Sequence, residues 1–475
     1  MKTTFSFIFL VLSTIATATD YYVKTGGNDL NQGTSDATAW ATIDKVNSVF
    51  ATLNPGDRIL FKRGDSFYGT INIGRSGSSG SPITLGAYGT GEKPVITGIT
   101  ELKSWTNEGN NVFSASLSSE DLTNMVLIDG KQYAMGRWPN NTYNIFESAT
   151  TNTSINDVEL GSDINWKGAE VVVRKNDWSI DRCKITAHSG STLYYSSLGT
   201  TQDAIAKHGY FIQNDRRTLN SFGEWYHDTE AEKIYINFGT KDPSGLKIEV
   251  ATLNSLLYDS GKDHITIDDL HFRGSASNLI EFTVSANDYI TIKNSRFTFA
   301  GQNAINLRGN YSTVTNNLIS VCNQTGIMAL GNHHKITLNT IENVGLIEGQ
   351  AFCGNLANGV AINDNDCLIK NNIIRNIGYC GIKLSSIADV ITIQNNYIHD
   401  ILLTLNDGGG IYTASEGVSR KIDGNIIMNV IGNTTGTPYP ERHIARGIYL
   451  DVNSTNVIVT YNTVANCNEA GYMIH

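Results

Sequence analysis

The sequence predicts an all-β chain wound as a parallel β-helix, and three observations carry that prediction. An asparagine recurs before an apolar pair at Asn317, Asn372, Asn396 and Asn425; with Asn339, Asn462 and Ser295 it forms one column, at spacings of 22, 22, 33, 24, 29 and 37 residues. A second column of small residues follows it, namely Ala304, Gly326, Gly359, Gly381, Gly410, Gly447 and Gly471, each opening a run in which apolar residues alternate. These runs are short and rich in Ile, Val and Thr, as strands are, because successive side chains point to opposite faces. A period in the low twenties is too short for a strand, a packed helix and a return strand, and it fits one coil of a β-helix. The Leu-x-x-Leu-x-Leu pattern of the competing leucine-rich solenoid is missing. Asparagine tolerates a left-handed bend between strands and can stack in hydrogen-bonded rows, and glycine suits a tight corner before a strand.

Taken in order, the chain begins with a secretory signal over residues 1–18: Lys2, an apolar run from Phe5 to Leu12, and the small-residue site Ala16-Thr17-Ala18. The run is too short to span a bilayer and no later stretch of about 20 apolar residues follows. A chain secreted, periplasmic or held at the cell surface is therefore expected, without a membrane span. Residues 19–118 contain the Pro55-Gly56-Asp57 turn between apolar runs and read as a cap and the first coils of the helix. Residues 119–252 lose the asparagine column and gain Trp138, Trp166, Trp178, Tyr194, Tyr195, Trp225 and Tyr226, which suggests an inserted β-sandwich-like domain. Residues 253–475 are the main β-helix.

Composition agrees. In 475 residues, 45 glycines and 17% charged residues suit a turn-rich β protein, with 40% hydrophobic content to fill a large core. A net charge of −10 argues against a nucleic-acid partner. The six cysteines lack zinc-site spacing and are expected to be mostly free; Cys353 and Cys380 are the one pair that adjacent turns could bring together. A monomer is expected.

Departures from the period locate the candidate site. Nine residues usually separate the asparagine from the glycine column (317 to 326, 372 to 381, 462 to 471), but three turns run 339 to 359, 396 to 410 and 425 to 447. All the extra residues leave the coil at one corner. Insertions on one side of a solenoid often build its binding face, so loops 344–355, 400–407 and 430–445 should bound a groove beside the strands that open at the glycine column. Outward positions on those strands carry Asn363, Lys383, Tyr412, Tyr449, Asp451 and His475. Asp407 ends one inserted loop ahead of three glycines, which would let the backbone pass tightly and leave the carboxylate at the groove floor; bracing its own turn is the alternative.

Several segments together point to a known group: Tyr22-Val23 with Gly27 and Asp29, the Pro-Gly-Asp turn, Arg137-Trp138-Pro139-Asn140, Gly223-Glu224-Trp225-Tyr226, Asp407-Gly-Gly-Gly-Ile-Tyr-Thr413 and Gly447-Ile-Tyr-Leu-Asp451. The chain resembles bacterial right-handed parallel β-helix proteins of the pectate-lyase-like superfamily, and the interrupted helix is similar to β-helical glycoside hydrolases of the β-xylosidase type. The resemblance implies a carbohydrate-active enzyme and, for the hydrolases, an aspartate nucleophile with a glutamate acid. Fold by itself does not choose among hydrolase, lyase and epimerase.

Hydrolysis needs two carboxyl groups. Asp407 is the first candidate; its partner is Asp451, outward on the next turn, or Glu441 or Glu348 from the long loops, the resemblance leaning to Glu441. Substrate contacts are expected from Lys383, Tyr412, Tyr449, Asn363, Arg446 and, through its aromatic face, Trp138. No cofactor is expected. A polysaccharide lyase is the rival: Lys383 as base, Arg446 against a uronate, and Ca²⁺ held by a cluster of oxygen ligands such as Asp364 and Asp366. A glycan-binding or adhesin module, using Tyr412 and Tyr449 as platforms, is the non-catalytic alternative. In each case the partner is a polysaccharide or oligosaccharide.

Overall fold

A computed structural model describes residues 18–119, 121–150, 152–196, 202–351 and 356–475; the expected signal segment and Cys353 fall almost entirely outside them. Three long parallel sheets run the length of the molecule. The first face has 11 strands, from Asp20–Val23 to Val457–Thr460; the second has ten, from Ser66–Tyr68 to Thr463–Cys467; the third has ten, from Ile71–Asn72 to Ala470–Ile474. Each turn contributes one strand per face, so the expected parallel β-helix is the fold observed. Inward positions stack β-branched side chains: Ile292, Val314, Ile336, Ile369 and Ile393 on the first face and Ile305, Ile327, Val360, Ile382 and Ile411 on the third are fully buried. Each contributes about 1.5–3 kcal/mol by leaving water. The helix Ile43–Phe50, N-capped by Thr42, turns Ile43, Val46 and Phe50 into the same core and covers the first coil.

The asparagine column is a continuous ladder. Asn317, Asn339, Asn372, Asn396, Asn425 and Asn462 stack at the corner between the first and second faces, each Oδ1 from Asn339 onward accepting both the backbone N–H and the side-chain Nδ2 of the asparagine one turn earlier at 2.8–3.0 Å. Ser295 joins it by donating its N–H to Asn317 Oδ1 at 2.9 Å. The left-handed bend, however, is one residue earlier, at Asn316, Leu338, Asn371, Asn395, Gly424 and Tyr461, with φ of 54, 61, 56, 55, 66 and 54°. The ladder residue itself must point inward to meet its neighbours, so the residue before it makes the turn.

The glycine column also has a different cause from the one its corner position suggests. None of these glycines has a positive φ. A Cβ on Gly381 would lie 2.6 Å from both Gly410 O and Ile398 Cγ2, and one on Gly359 would lie 2.5 Å from Ile374 Cγ2. Close packing of successive turns excludes a side chain at Gly326, Gly359, Gly381, Gly410 and Gly447. Gly381→Ala is accordingly expected to cost about 1–3 kcal/mol, checked by denaturant unfolding.

The insertion interrupts the helix without breaking it: Leu257, Ile265 and His271 pair directly with Ile71, Ile83 and Val95. Antiparallel pairing begins at Ile99, ahead of the boundary at residue 119, since Ile99–Leu102 pairs with Ile248–Ala251 and Val112–Ser116 with Lys233–Asn237. Two four-stranded sheets enclose Val126, Trp225, Ile236 and Val250 as a sandwich. An eight-stranded antiparallel sheet between them in sequence has its own core of Phe146, Val171, Val173 and Tyr210, while Val172, Ile180 and Phe211 join the core of the β-helix. Among the described residues, Cys322, Cys367, Cys380 and Cys467 are free thiols. No described helix is long and apolar enough to cross a membrane.

One buried acid gives the fold a pH dependence. Asp259, on the third face, is fully buried, and burial pushes its carboxyl up to about 7. An unfolded aspartate titrates near ~3.9, so the stability associated with the bound proton is present below that pH and is lost as pH rises through about 7. Asp259→Asn should raise the thermal midpoint at pH ~8 and leave it little changed at pH ~4, the gain growing by roughly 1.4 kcal/mol per pH unit until it levels off above about 7.

Candidate active site

The later turns of the third face gather the outward residues. Lys383, Tyr412 and Tyr449 are register partners on three consecutive strands, with Ala361 above and Met473 below. Asp407, in a left-handed conformation with φ of 51°, immediately precedes the strand Gly408–Thr413. The three glycines are required by contact: a Cβ on Gly408 would lie 2.8 Å from the Tyr379 ring, on Gly409 3.2 Å from Tyr449 Cβ, and on Gly410 2.5 Å from Ile427 Cγ2. The strand therefore lies flat against its neighbours and leaves the Asp407 side chain, 22% exposed, at the start of the face. Tyr379 fixes the backbone there by donating its hydroxyl to Asp407 O at 2.9 Å.

Two carboxylates on adjacent turns have opposite surroundings. Burial raises the Asp407 carboxyl above its ordinary value and outweighs its partner Arg446, while the charges of Asp177 and Asp451 push it the same way as burial. Arg446 Nη1 donates to Asp407 Oδ1 at 2.6 Å, its Nη2 to Glu469 Oε1 at 3.4 Å, and its guanidinium lies 4.0 Å from the centre of the Tyr449 ring. Asp451 has burial working against its charge too, yet hydrogen bonds from His475, Tyr449, Tyr412 and the Val452 N–H prevail and hold it down to about 2. Those bonds are short: Tyr412 and Tyr449 each donate at 2.7 Å, to Oδ2 and Oδ1 respectively, and His475 Nδ1 is 2.9 Å from Oδ1. Lys383 lies beside the Tyr379 and Tyr412 rings, 5.3 and 5.8 Å from their centres, and burial pushes its amine down to about 8.

The other expected residues are elsewhere. Glu441 is exposed at a turn of its loop, and no described contact joins it to Asp407. Glu348 pairs with Arg137 at 3.3 Å, facing the inserted sheet. Trp138 stacks on Trp166, ring centres 5.6 Å apart, against the core of that sheet, so its face serves packing. Asn363 is on the third face but two turns from Asp407, its backbone engaged with Ala329 and Ser385. Asp364 accepts the Gly331 N–H at 2.6 Å and Asp366 faces His333 at 3.7 Å, both as turn contacts. Four residues around Asp407 escaped the sequence reading, among them its chain neighbour Asn406, whose Nδ2 donates to Asp177 Oδ1 at 3.1 Å. Tyr379 and Glu469 stand two places before the glycine column, so the count that found Lys383 would have found them; Asn406 and Asp177 had no periodic signal.

Comparison with known proteins bears on the fold. The family described as "Right handed beta helix region" matches residues 256–347 and 331–475. A solved structure titled "Glycoside hydrolase" superposes with a TM-score of 0.74 at 14% identity, over 94% of this chain and 97% of that one. A second, titled "The complex structure of XylC with xylose", gives 0.57 at 17% identity over 92% of this chain and 69% of the other. In sequence, 89 residues are 39% identical to lacto-N-biosidase of Bifidobacterium longum subsp. longum, which is 18% of this chain; the chain spans 6% of the length of that curated relative. Matched family region, whole-chain superposition and three continuous sheets agree, and the chain is a right-handed parallel β-helix protein with an antiparallel β insertion.

Proposed function

We propose that the chain is an exported carbohydrate-active enzyme, a glycoside hydrolase, in which Asp407 is the general acid and Asp451 the ionised partner. The observation that carries this reading is the divergence of two carboxyls on adjacent turns of one face: burial raises Asp407, and four hydrogen-bond donors hold Asp451 at about 2. Environments that drive two carboxyls apart in this way assign acid and base. The titles of both superposable structures, and the lacto-N-biosidase segment, support a glycan as substrate. Tyr412, half-buried and edge to face with the buried Tyr449 at 5.3 Å, supplies aromatic surface beside the pair.

A lyase reading has one observation in its favour, the Lys383 amine pushed down to about 8, where it can act as a base. Against it, a uronate entering here meets Asp407, Asp451 and Glu469, and Arg446 is already engaged by two of them. Incubation with neutral and uronate-containing plant and algal glycans separates the readings. New reducing ends without ultraviolet absorbance of an unsaturated product are expected; unsaturated product would establish elimination, and binding without any product would establish the glycan-binding alternative.

A further inference from the structure

The inserted sheet reaches the candidate site through one hairpin. Its strands Glu170–Asn176 and Ser179–Ser189 meet at Asp177 and Trp178. Asp177 holds Asn406, the residue before Asp407, twice: its carbonyl accepts the Asn406 N–H at 3.0 Å and its Oδ1 accepts Asn406 Nδ2 at 3.1 Å. Asn406 is fully buried, and its remaining bonds go to the neighbouring long loop. Its Nδ2 also donates to Arg442 O at 3.0 Å, and its Oδ1 accepts the Ile444 N–H at 2.7 Å, two residues ahead of Arg446. One asparagine thus ties the segments that carry Asp407 and Arg446 to the hairpin tip.

Arg174, on the same hairpin and fully buried, secures that tip. Its guanidinium donates to Asn433 O at 2.6 Å, Thr435 O at 2.8 Å, Asp177 O at 3.1 Å and Thr404 O at 3.4 Å. Both groove loops, 400–407 and 430–445, are therefore fastened to the inserted sheet by one buried cation. A guanidinium taken from water into such a site is costly unless its donors are satisfied; here carbonyls of the two loops and of Asp177 satisfy Nη1 and Nη2, while Nε has no hydrogen-bond partner among the described residues.

We propose that the inserted sheet belongs to the active-site apparatus, with Asp177, anchored by Arg174, as a positioning residue that sets where the Asp407 carboxyl lies against Arg446. The kinetic part of the proposal rests on the hydrolase reading. Asp177 also bears on Asp407 through its charge, as one of the groups around that carboxyl: Arg446 and Asp451 from the next turn, Tyr379 and Cys380 from the preceding one, Tyr449 from the face itself, and Asp177 from the insertion.

The test compares Asp177→Ala with Asp177→Asn in the full chain. Asparagine keeps an acceptor for Asn406 and removes the charge. Asp177→Ala should lower kcat by roughly tenfold or more through misplacement of the acid, with KM changed by less than about twofold, and Asp177→Asn should recover most of that loss. The second readout needs no substrate: the ¹³C-carboxyl resonance of Asp407, identified by its disappearance in Asp407→Asn, should titrate at lower pH in both variants once the neighbouring negative charge is gone. A titration unchanged from wild type in both variants overturns the proposal. So does an Asp177→Asn enzyme no more active than Asp177→Ala. If the wild type turns over no glycan, the hydrolase reading falls and the titration alone decides this one.

Discussion

Asp407→Asn is expected to lower kcat for glycan hydrolysis by about 10²–10⁴ while leaving KM close to wild type, the signature of a lost proton donor. Asparagine fills the same space and still offers Oδ1 to Arg446, but it has no acidic proton to deliver to a leaving oxygen. The fold should survive, because Arg446 keeps its second partner, Glu469, and because Tyr379 binds the backbone carbonyl of residue 407 rather than its side chain. An unfolding midpoint near wild type beside the kinetic loss separates chemistry from stability. Asp451→Asn should lose comparable activity for a different reason: the ionised acceptor that aligns Tyr412, Tyr449 and His475 would be replaced by a neutral amide. A variant at position 407 that hydrolyses at the wild-type rate would remove Asp407 from the mechanism.

The largest expected effect on stability lies far from the groove. Asn396→Ala should destabilise the chain by about 3–5 kcal/mol, because a buried donor or acceptor left without a partner costs about 1–3 kcal/mol and several hydrogen bonds are lost together. The substitution leaves the N–H of Asn372 without its partner and takes one hydrogen bond each from Asn372 Nδ2, the carbonyl of Ile369 and Asn425 Oδ1. Position 396 is 1% exposed, so water cannot take the place of the missing amide. Urea unfolding followed by circular dichroism measures the change. A loss under about 1 kcal/mol, the size of an ordinary hydrogen bond, would show that the ladder is decoration.

What the sequence revealed and what it concealed both follow from this ladder. Identical amides stacked turn on turn leave a periodic signature, and counting from it placed Lys383, Tyr412, Tyr449 and Asp451 on one face. The same count did not show that the bend falls on Asn316 and Leu338 rather than on the ladder asparagines, because a pattern gives positions and not dihedral angles. It likewise did not show that the glycine column answers to crowding by Ile374 and Ile398. Loop lengths marked the corner where the groove opens, but length does not say where a loop tip goes, and Glu441 proved to be exposed. Trp138 looked like a sugar platform by residue type, and Trp166 claims its face. Asp177 was illegible for a topological reason: it meets Asn406 across 229 residues of sequence, from an insertion with no repeat to count.

The pH dependence of kcat/KM, on whichever glycan yields product, tests the paired-carboxylate assignment most directly. A hydrolase that needs Asp407 protonated and Asp451 ionised must lose activity as pH rises through the elevated Asp407 value, and again as pH falls toward about 2, where Asp451 gains a proton. The expected result is an acid optimum, with an alkaline limb that shifts to lower pH in Asp177→Asn. Activity that instead rises with pH through about 8, as the Lys383 amine gives up its proton to become a base, would contradict the account and assign the site to elimination.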